Sequence, residues 1–164
     1  MKKLIFIFCF SLLLISSCTN TTYHKYNPVP EKGWGKLDTL KFEVPKTIKQ
    51  PLDIKIDVRH DQRYPYRDLY LTVKENLTDS TQYRTETIHI KLTDKSGDWN
   101  GSGWSYVLQS SHDYKTIRYP QLSENSRIEI YPYMKDSLLV GIRDIGVSFN
   151  HTIGKPFQHL TSEK

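Results

Sequence analysis

The sequence predicts an all-β fold: an antiparallel two-sheet β-sandwich preceded by a signal peptide and a short tether. Three observations support this fold class. Apolar residues alternate with polar residues in many short runs, turn-forming residues separate these runs, and no segment shows the 3.6-residue apolar period of a helix. The 11 tyrosines fit the same interpretation, because aromatic side chains suit a half-buried pleated surface. Immunoglobulin-like and jelly-roll-like connections are both compatible with the pattern.

The first segment, residues 1–17, has the layout of a secretory signal peptide. Two lysines precede an apolar run from Leu4 to Ile15, and two serines then lead directly to Cys18. The apolar run is too short to span a hydrocarbon core, which needs about 20 residues. The arrangement resembles the signals of bacterial lipoproteins, so we predict that Cys18 is the first mature residue and carries the lipid.

The next segment, residues 18–36, is predicted to be the lipidated cysteine and a tether. Its sequence is polar and interrupted by prolines, which is typical of an extended linker. The β-sandwich is predicted for residues 37–154, and residues 155–164 are predicted to form a loose tail.

The strands of the predicted sandwich follow from alternation, which puts one face of each strand in the core. Turn-forming residues lie between the runs, as in Asn76–Ser80 and Asn100–Gly103. The residues predicted to face the core are Leu40, Phe42 and Val44; Leu52, Ile54, Ile56 and Val58; Leu69, Leu71 and Val73; Ile88, Ile90 and Leu92; Ile128 and Ile130; and Ile145, Val147 and Phe149.

Composition and residue spacing argue against several classes of function. The formal charge of +5 is scattered and includes two lysines of the signal, so it does not form the basic stripe of a nucleic-acid-binding protein. Cys9 leaves with the signal and Cys18 carries lipid, which leaves no thiol for a disulfide or a zinc site. The six histidines show no metal-binding spacing, and no catalytic constellation is apparent. We therefore expect no metal, no cofactor and no enzymatic activity.

Two stretches are candidates for a binding surface. One combines Arg59 with Tyr64 and Tyr66, and the other is a glycine-rich stretch that contains Trp99 and Trp104. An arginine fork flanked by aromatic rings could bind a protein or a glycan. The alternative is structural: the tyrosines would pack a hairpin corner, and the tryptophans would fold back to plug one end of the sandwich.

Three motifs in this order and spacing resemble the gliding-motility lipoprotein H (GldH-like) family of Bacteroidetes. They are Arg59-His60…Tyr64-Pro65-Tyr66…Leu69, then Gly97-x-Trp99-x-Gly101-x-Gly103, and finally Leu139-x-Gly141-Ile142-x-Asp144-Ile145-Gly146. The chain departs from the family pattern at Asp68, where the family tends to have asparagine, and at Met134-Lys135, where the family has Met-Arg.

The resemblance implies a lipid-anchored, non-enzymatic component of the gliding apparatus, linked to type IX secretion, that docks on other envelope proteins. A glycan-binding lipoprotein is the alternative. Surface-exposed lipoproteins of Bacteroidetes often carry acidic residues directly after the cysteine, and Thr19–Thr22 contains none. We therefore expect the protein to lie at the outer membrane, facing the periplasm.

Overall fold

The structure is a computed structural model that describes residues 21–48 and 51–151. The predicted signal peptide, Cys18 and the predicted tail at residues 155–164 lie outside the described residues. None of the described segments is a helix that could cross a membrane. The strands are β1 (Thr21–Pro28), β2 (Trp34–Gly35), β3 (Leu40–Glu43), β4 (Leu52–Asp61), β5 (Asp68–Glu75), β6 (Arg84–Lys91), β7 (Ser102–Trp104), β8 (Val107–Ile117), β9 (Arg127–Pro132), β10 (Leu138–Leu139) and β11 (Ile142–His151).

The strands form two main sheets, as the sequence predicted. A five-stranded sheet has the order β1-β11-β4-β8-β7, and a four-stranded sheet has the order β3-β9-β5-β6. The short strands β2 and β10 pair with each other. Every pairing is antiparallel. The prediction of an all-β antiparallel fold is therefore confirmed.

The connectivity of the eight longer strands distinguishes between the two topologies that the sequence left open. The first of these strands pairs with the last, the second with the seventh, the third with the sixth and the fourth with the fifth. In the structure these are the pairs β1–β11, β3–β9, β4–β8 and β5–β6. A single long hairpin rolled into two sheets has this order, which is that of a jelly roll rather than an immunoglobulin domain.

The core lies between the two main sheets and contains the residues that alternation predicted. On β4 the four apolar residues from Leu52 to Val58 have at most 1% of their surface exposed. Leu71 and Val73 of the other sheet are fully buried in the same cluster. Leu40 and Ile88 are only partly buried, because they lie on the edge strands β3 and β6.

Residues 21–36 differ from the predicted tether. Strand β1 pairs along its length with β11, and the ring of Tyr23 lies 5.8 Å from that of Phe149. Trp34 is fully buried, and its indole Nε1 donates a hydrogen bond to the Asp38 carbonyl. Strand β1 is at the edge of its sheet and buries only part of its surface, which explains why the segment is polar. Its composition is therefore similar to that of a linker. The sandwich therefore begins by residue 21 rather than residue 37.

The sandwich has two distinct ends. At the terminal end, β1 begins and β11 finishes, so that Thr21 pairs with Asn150. At the opposite end, here called the loop end, β4 finishes and β8 begins, with Asp61 paired to Val107. Among the connections at the loop end are residues 62–67, 92–101 and 133–141, and all three sequence motifs converge there.

Candidate functional site

A buried carboxylate organises the loop end of β4. Asp61 is 3% exposed and accepts hydrogen bonds from the backbone and the guanidinium of Arg63, while Arg143 Nε lies 2.9 Å from its Oδ2. Burial acts to raise the pKa of Asp61, but the hydrogen bonds from Arg63 and the charge of Arg143 outweigh burial and hold this pKa below its usual value. Both arginines therefore contact a carboxylate of the protein itself, and these contacts stabilise the corner.

Arg59, predicted as a ligand-binding fork, lies away from the aromatic residues predicted to accompany it. Successive side chains of a strand point to opposite faces, so Arg59 lies on the outer face of its sheet while His60 points into the core. The guanidinium carbon of Arg59 is 3.8 Å from the centroid of the Tyr26 ring, and its Nε donates to Gln109 Oε1. Its principal contacts are therefore with its own sheet.

Two of the aromatic residues predicted to form a binding surface, Tyr64 and Trp99, instead pack their rings inside the protein. Tyr64 is 2% exposed, and its hydroxyl donates to the Asp68 carbonyl. Trp99 packs against the core, with its ring 4.6 Å from that of the fully buried His60. The backbone of Trp104 pairs with Val107, whereas its side chain lies outside the described residues. These positions match the structural alternative for Tyr64 and Trp99.

Tyr66 is the predicted residue that opens onto a surface groove. This groove, of about 550 Å³, lies at the loop end beside the four-stranded sheet. Three tyrosines and a methionine form its apolar walls, and two lysines stand at its margin. The lining residues are Lys36, Tyr66, Tyr70, Tyr133, Met134 and Lys135.

The walls of the groove are held by specific contacts. The hydroxyl of Tyr66 donates a 2.6 Å hydrogen bond to Asp136, which raises the pKa of Tyr66. The ring of Tyr70 stacks on His89 at a centroid distance of 4.6 Å and an angle of 8°. The sulfur of Met134 accepts a hydrogen bond from the Tyr70 backbone at 3.5 Å. The groove is therefore pre-formed, which limits the entropy lost when a ligand binds.

Sequence reasoning missed most of the groove residues. Tyr70 lies on the polar face of β5 and Tyr133 follows β9, so neither stood out in the alternating pattern. Exposed tyrosines on the outer face of predicted strands were the available signal. No alternation pattern could show that Lys36, Tyr70 and Tyr133 lie next to one another.

A second groove, of about 560 Å³, is polar. It lies at the open edge between the sheets, where the glycine-rich stretch meets β8, and none of the described tyrosine or tryptophan side chains lines it. Sugar rings usually stack on such side chains. The lining residues are Lys91, Asn100, Gly101, Ser102, Gln109, Ser110, Ser111 and His112.

The described ranges contain no group of three or more His, Cys, Asp or Glu side chains that could hold a metal ion. Titratable side chains instead pair within the protein, as His89 does with Asp68. The groove lined by tyrosines is therefore the candidate functional site.

Comparison with known proteins identifies the family. The sequence pattern of the GldH lipoprotein family matches residues 21–149, which run from the first residue of β1 into β11. The chain belongs to the GldH lipoprotein family. It is also similar to a protein of Christiangramia forsetii described as a gliding motility lipoprotein GldH homolog, at 28% identity over 152 residues that cover 87% of this chain and 91% of that protein. The predicted resemblance is confirmed.

We expected this GldH family member to depart from the family pattern at Asp68 and at Lys135, and both positions lie at or beside the groove. Met134 and Lys135 line it directly. Asp68 contacts His89, whose ring stacks on the groove residue Tyr70. A lysine in place of arginine removes a planar, bidentate donor from the rim.

One buried histidine, His60, and one partly buried histidine, His112, predict a pH dependence of stability for this GldH family member. Burial lowers the pKa of His60 and of His112 below the ordinary value of 6.5. Below that pH the unfolded chain therefore binds more protons than the folded chain, and the free energy of unfolding falls as the pH drops. We expect each histidine to make the free energy of unfolding fall by up to about 1.4 kcal/mol for each pH unit below 6.5. This contribution ends when the pH reaches the pKa of that histidine in the folded state.

Urea unfolding between pH 7.5 and 5.5 measures this slope. The variant His60→Leu should keep only the contribution of His112, and His112→Leu should keep only that of His60. An unchanged slope in both variants would assign the pH dependence to other groups.

Proposed function

We propose that this protein is a lipid-anchored envelope component of gliding motility, linked to type IX secretion, that acts without catalysis by docking an envelope protein in the groove. The groove is the observation that carries the docking part of the proposal. Membership of the GldH lipoprotein family and the gliding motility description of the C. forsetii relative support the cellular role.

The anchor in this proposal is a lipid on Cys18. The layout of residues 1–17 supports it, and so does the lipoprotein description of the family. We place the domain at the outer membrane, facing the periplasm, because Thr19–Thr22 contains no acidic residue. In that position the groove would meet proteins of the periplasm and the inner face of the outer membrane.

The chemistry of the groove indicates the kind of protein segment it would bind. Its tyrosine and methionine walls suit an apolar or aromatic side chain, and such residues are enriched in protein interfaces. Neither Lys36 nor Lys135 forms an ion pair with another described residue. Asp136, which follows the groove residue Lys135 in the chain, already accepts a hydrogen bond from the hydroxyl of Tyr66. We therefore propose an apolar segment flanked by acidic residues as the partner.

The double variant Tyr133→Ala/Lys135→Glu tests this docking in the native host. Tyr133 is 62% exposed, so the substitutions should leave the fold and the amount of protein in the envelope unchanged. We expect colony spreading and type IX cargo secretion to fall to the level of the gene deletion. Immunoblotting of envelope fractions would verify that the protein is present.

A matched control is Tyr106→Ala, since Tyr106 is 56% exposed at the same end but does not line the groove. Normal spreading of the groove variant would refute docking at this site. Normal spreading and secretion in the deletion strain would refute the motility role altogether. Tyrosine or tryptophan fluorescence that changes on titration with envelope polysaccharide would favour the glycan alternative.

A further inference from the structure

The first described residue is very close to the predicted lipid attachment site. Thr21 already pairs with Asn150 in the five-stranded sheet. Three Cα–Cα steps separate it from Cys18, and fully extended they reach about 11 Å. The ten residues of β4 span about 33 Å along the sandwich. The anchor is therefore much shorter than the domain it holds.

This short connection restricts which part of the domain can approach the bilayer. The polar layer outside the hydrocarbon core is only about 5–8 Å thick on each side. With a lipid on Cys18, the terminal end must lie at or near this layer. The loop end can reach the layer only if the sandwich lies flat on one side.

The charges on the outer face of the five-stranded sheet disfavour a flat arrangement on that face. Lys55 and Arg59 are its two basic residues on β4, and Lys55 is paired with Asp113. An acidic excess is repelled by the negative surface of anionic lipids. The acidic residues on this face that are not buried are Asp53, Asp113 and Asp144, whereas Asp57 is buried and pairs with His24.

The terminal end offers a side chain that suits a bilayer surface. Tyr119 follows the last residue of β8 by two positions and is 80% exposed. Arg118 precedes it, and aromatic and basic residues together are typical of the membrane–water interface.

We propose that the terminal end rests on the headgroup layer of the bilayer, with Tyr119 in contact with it, so that the groove opens away from the membrane. This inference rests on the proposed lipid at Cys18. It adds a fixed orientation and a second, direct membrane contact to the anchor. The groove is then presented to proteins about one strand length from the lipid.

Two single-cysteine variants of the mature, lipidated chain can test this orientation. Because Cys18 is blocked by lipid, Tyr119→Cys and Tyr133→Cys can each be labelled with a fluorophore at one site. The labelled proteins are reconstituted in phosphatidylethanolamine–phosphatidylglycerol vesicles that contain a headgroup spin-label quencher. We expect the label at position 119 to lose most of its fluorescence and the label at position 133 to keep it.

Equal quenching at both positions would overturn the proposed orientation, and so would quenching at position 133 alone. A flexible insert of about 20 residues between Asn20 and Thr21, with an r.m.s. span of about 25 Å, should reduce quenching at position 119. Flotation of the vesicles tests the lipid anchor independently of the orientation. Protein that fails to float with vesicles refutes the anchor, whereas protein that floats with equal quenching refutes only the orientation. Circular dichroism would verify that both variants are folded.

Discussion

Replacing Gly141 with alanine should lower the free energy of unfolding by about 4 kcal/mol, a large part of the roughly 5–15 kcal/mol typical of a domain. Gly141 has a φ of +84°, which costs energy for any residue with a side chain. A Cβ at this position would lie 2.2 Å from the Tyr64 backbone nitrogen. The backbone at Gly141 or at Tyr64 would have to move to relieve this contact. The hydrogen bond from the Asp61 backbone N–H to the Gly141 carbonyl opposes such a movement. Urea unfolding of the non-lipidated mature chain measures the effect.

Gly97→Ala is the matched control for this prediction. Gly97 has a similar φ of +94°, but the nearest atom to an added Cβ is the flexible guanidinium end of Arg67, at 3.1 Å. Because this side chain can move aside, only the backbone strain at Gly97 remains, and we expect the free energy of unfolding to fall by about 1 kcal/mol. Similar losses at both glycines would show that the close approach of Gly141 to Tyr64 is unimportant.

The second large effect is expected at Lys115, which joins the two sheets through an ion pair with a buried carboxylate. Its ammonium on β8 lies 3.2 Å from Glu75 on β5, and Glu75 is 1% exposed. Lys115 also contacts Glu86 on β6, and the Leu77 backbone donates to Glu75. Lys115→Met would leave the Glu75 carboxylate buried without its cation. We expect a loss of about 3 kcal/mol in urea unfolding at pH 7.

Two further variants determine whether the buried charge causes this loss. In the double variant Glu75→Gln/Lys115→Met the buried charge is gone while an oxygen remains for the Leu77 backbone, so much of the stability should return. Lys46→Met makes the same substitution in an exposed pair with Glu124 and should cost less than about 1 kcal/mol. A double variant as unstable as Lys115→Met would contradict the explanation.

The inner residues of the strands could be predicted because alternation is a local property. A residue such as Ile56 has polar neighbours on both sides in the sequence, and this alone places it on the buried face. Strand pairing is not local. Nothing in the sequence of Thr21–Pro28 indicates that its partner is β11, so the segment was predicted to be a tether and the jelly roll could not be distinguished from the immunoglobulin alternative.

The candidate site was predictable only in part, for a similar reason. Tyr66 was selected because it follows a recognisable strand, and the structure places it in the groove. Tyr64 was selected on the same grounds, yet it packs in the core. Composition does not show which of two neighbouring tyrosines turns inward. The lysines and the other groove residues come from separate connections that only the folded chain brings together.

The pairing of β1 with β11 has a consequence for how the protein matures. Among the described strands, β1 pairs with β11 alone, and β11 is also the last of these strands to be synthesised. Pairings between such distant parts of a chain form slowly and cannot begin before both are present. The five-stranded sheet therefore cannot be completed until Ile142–His151 has been synthesised, and we expect the chain to remain incompletely folded until then. A product truncated before Ile142 would leave β1 without a partner and β4 with an unpaired edge, so we expect incomplete copies to be more susceptible to proteolysis.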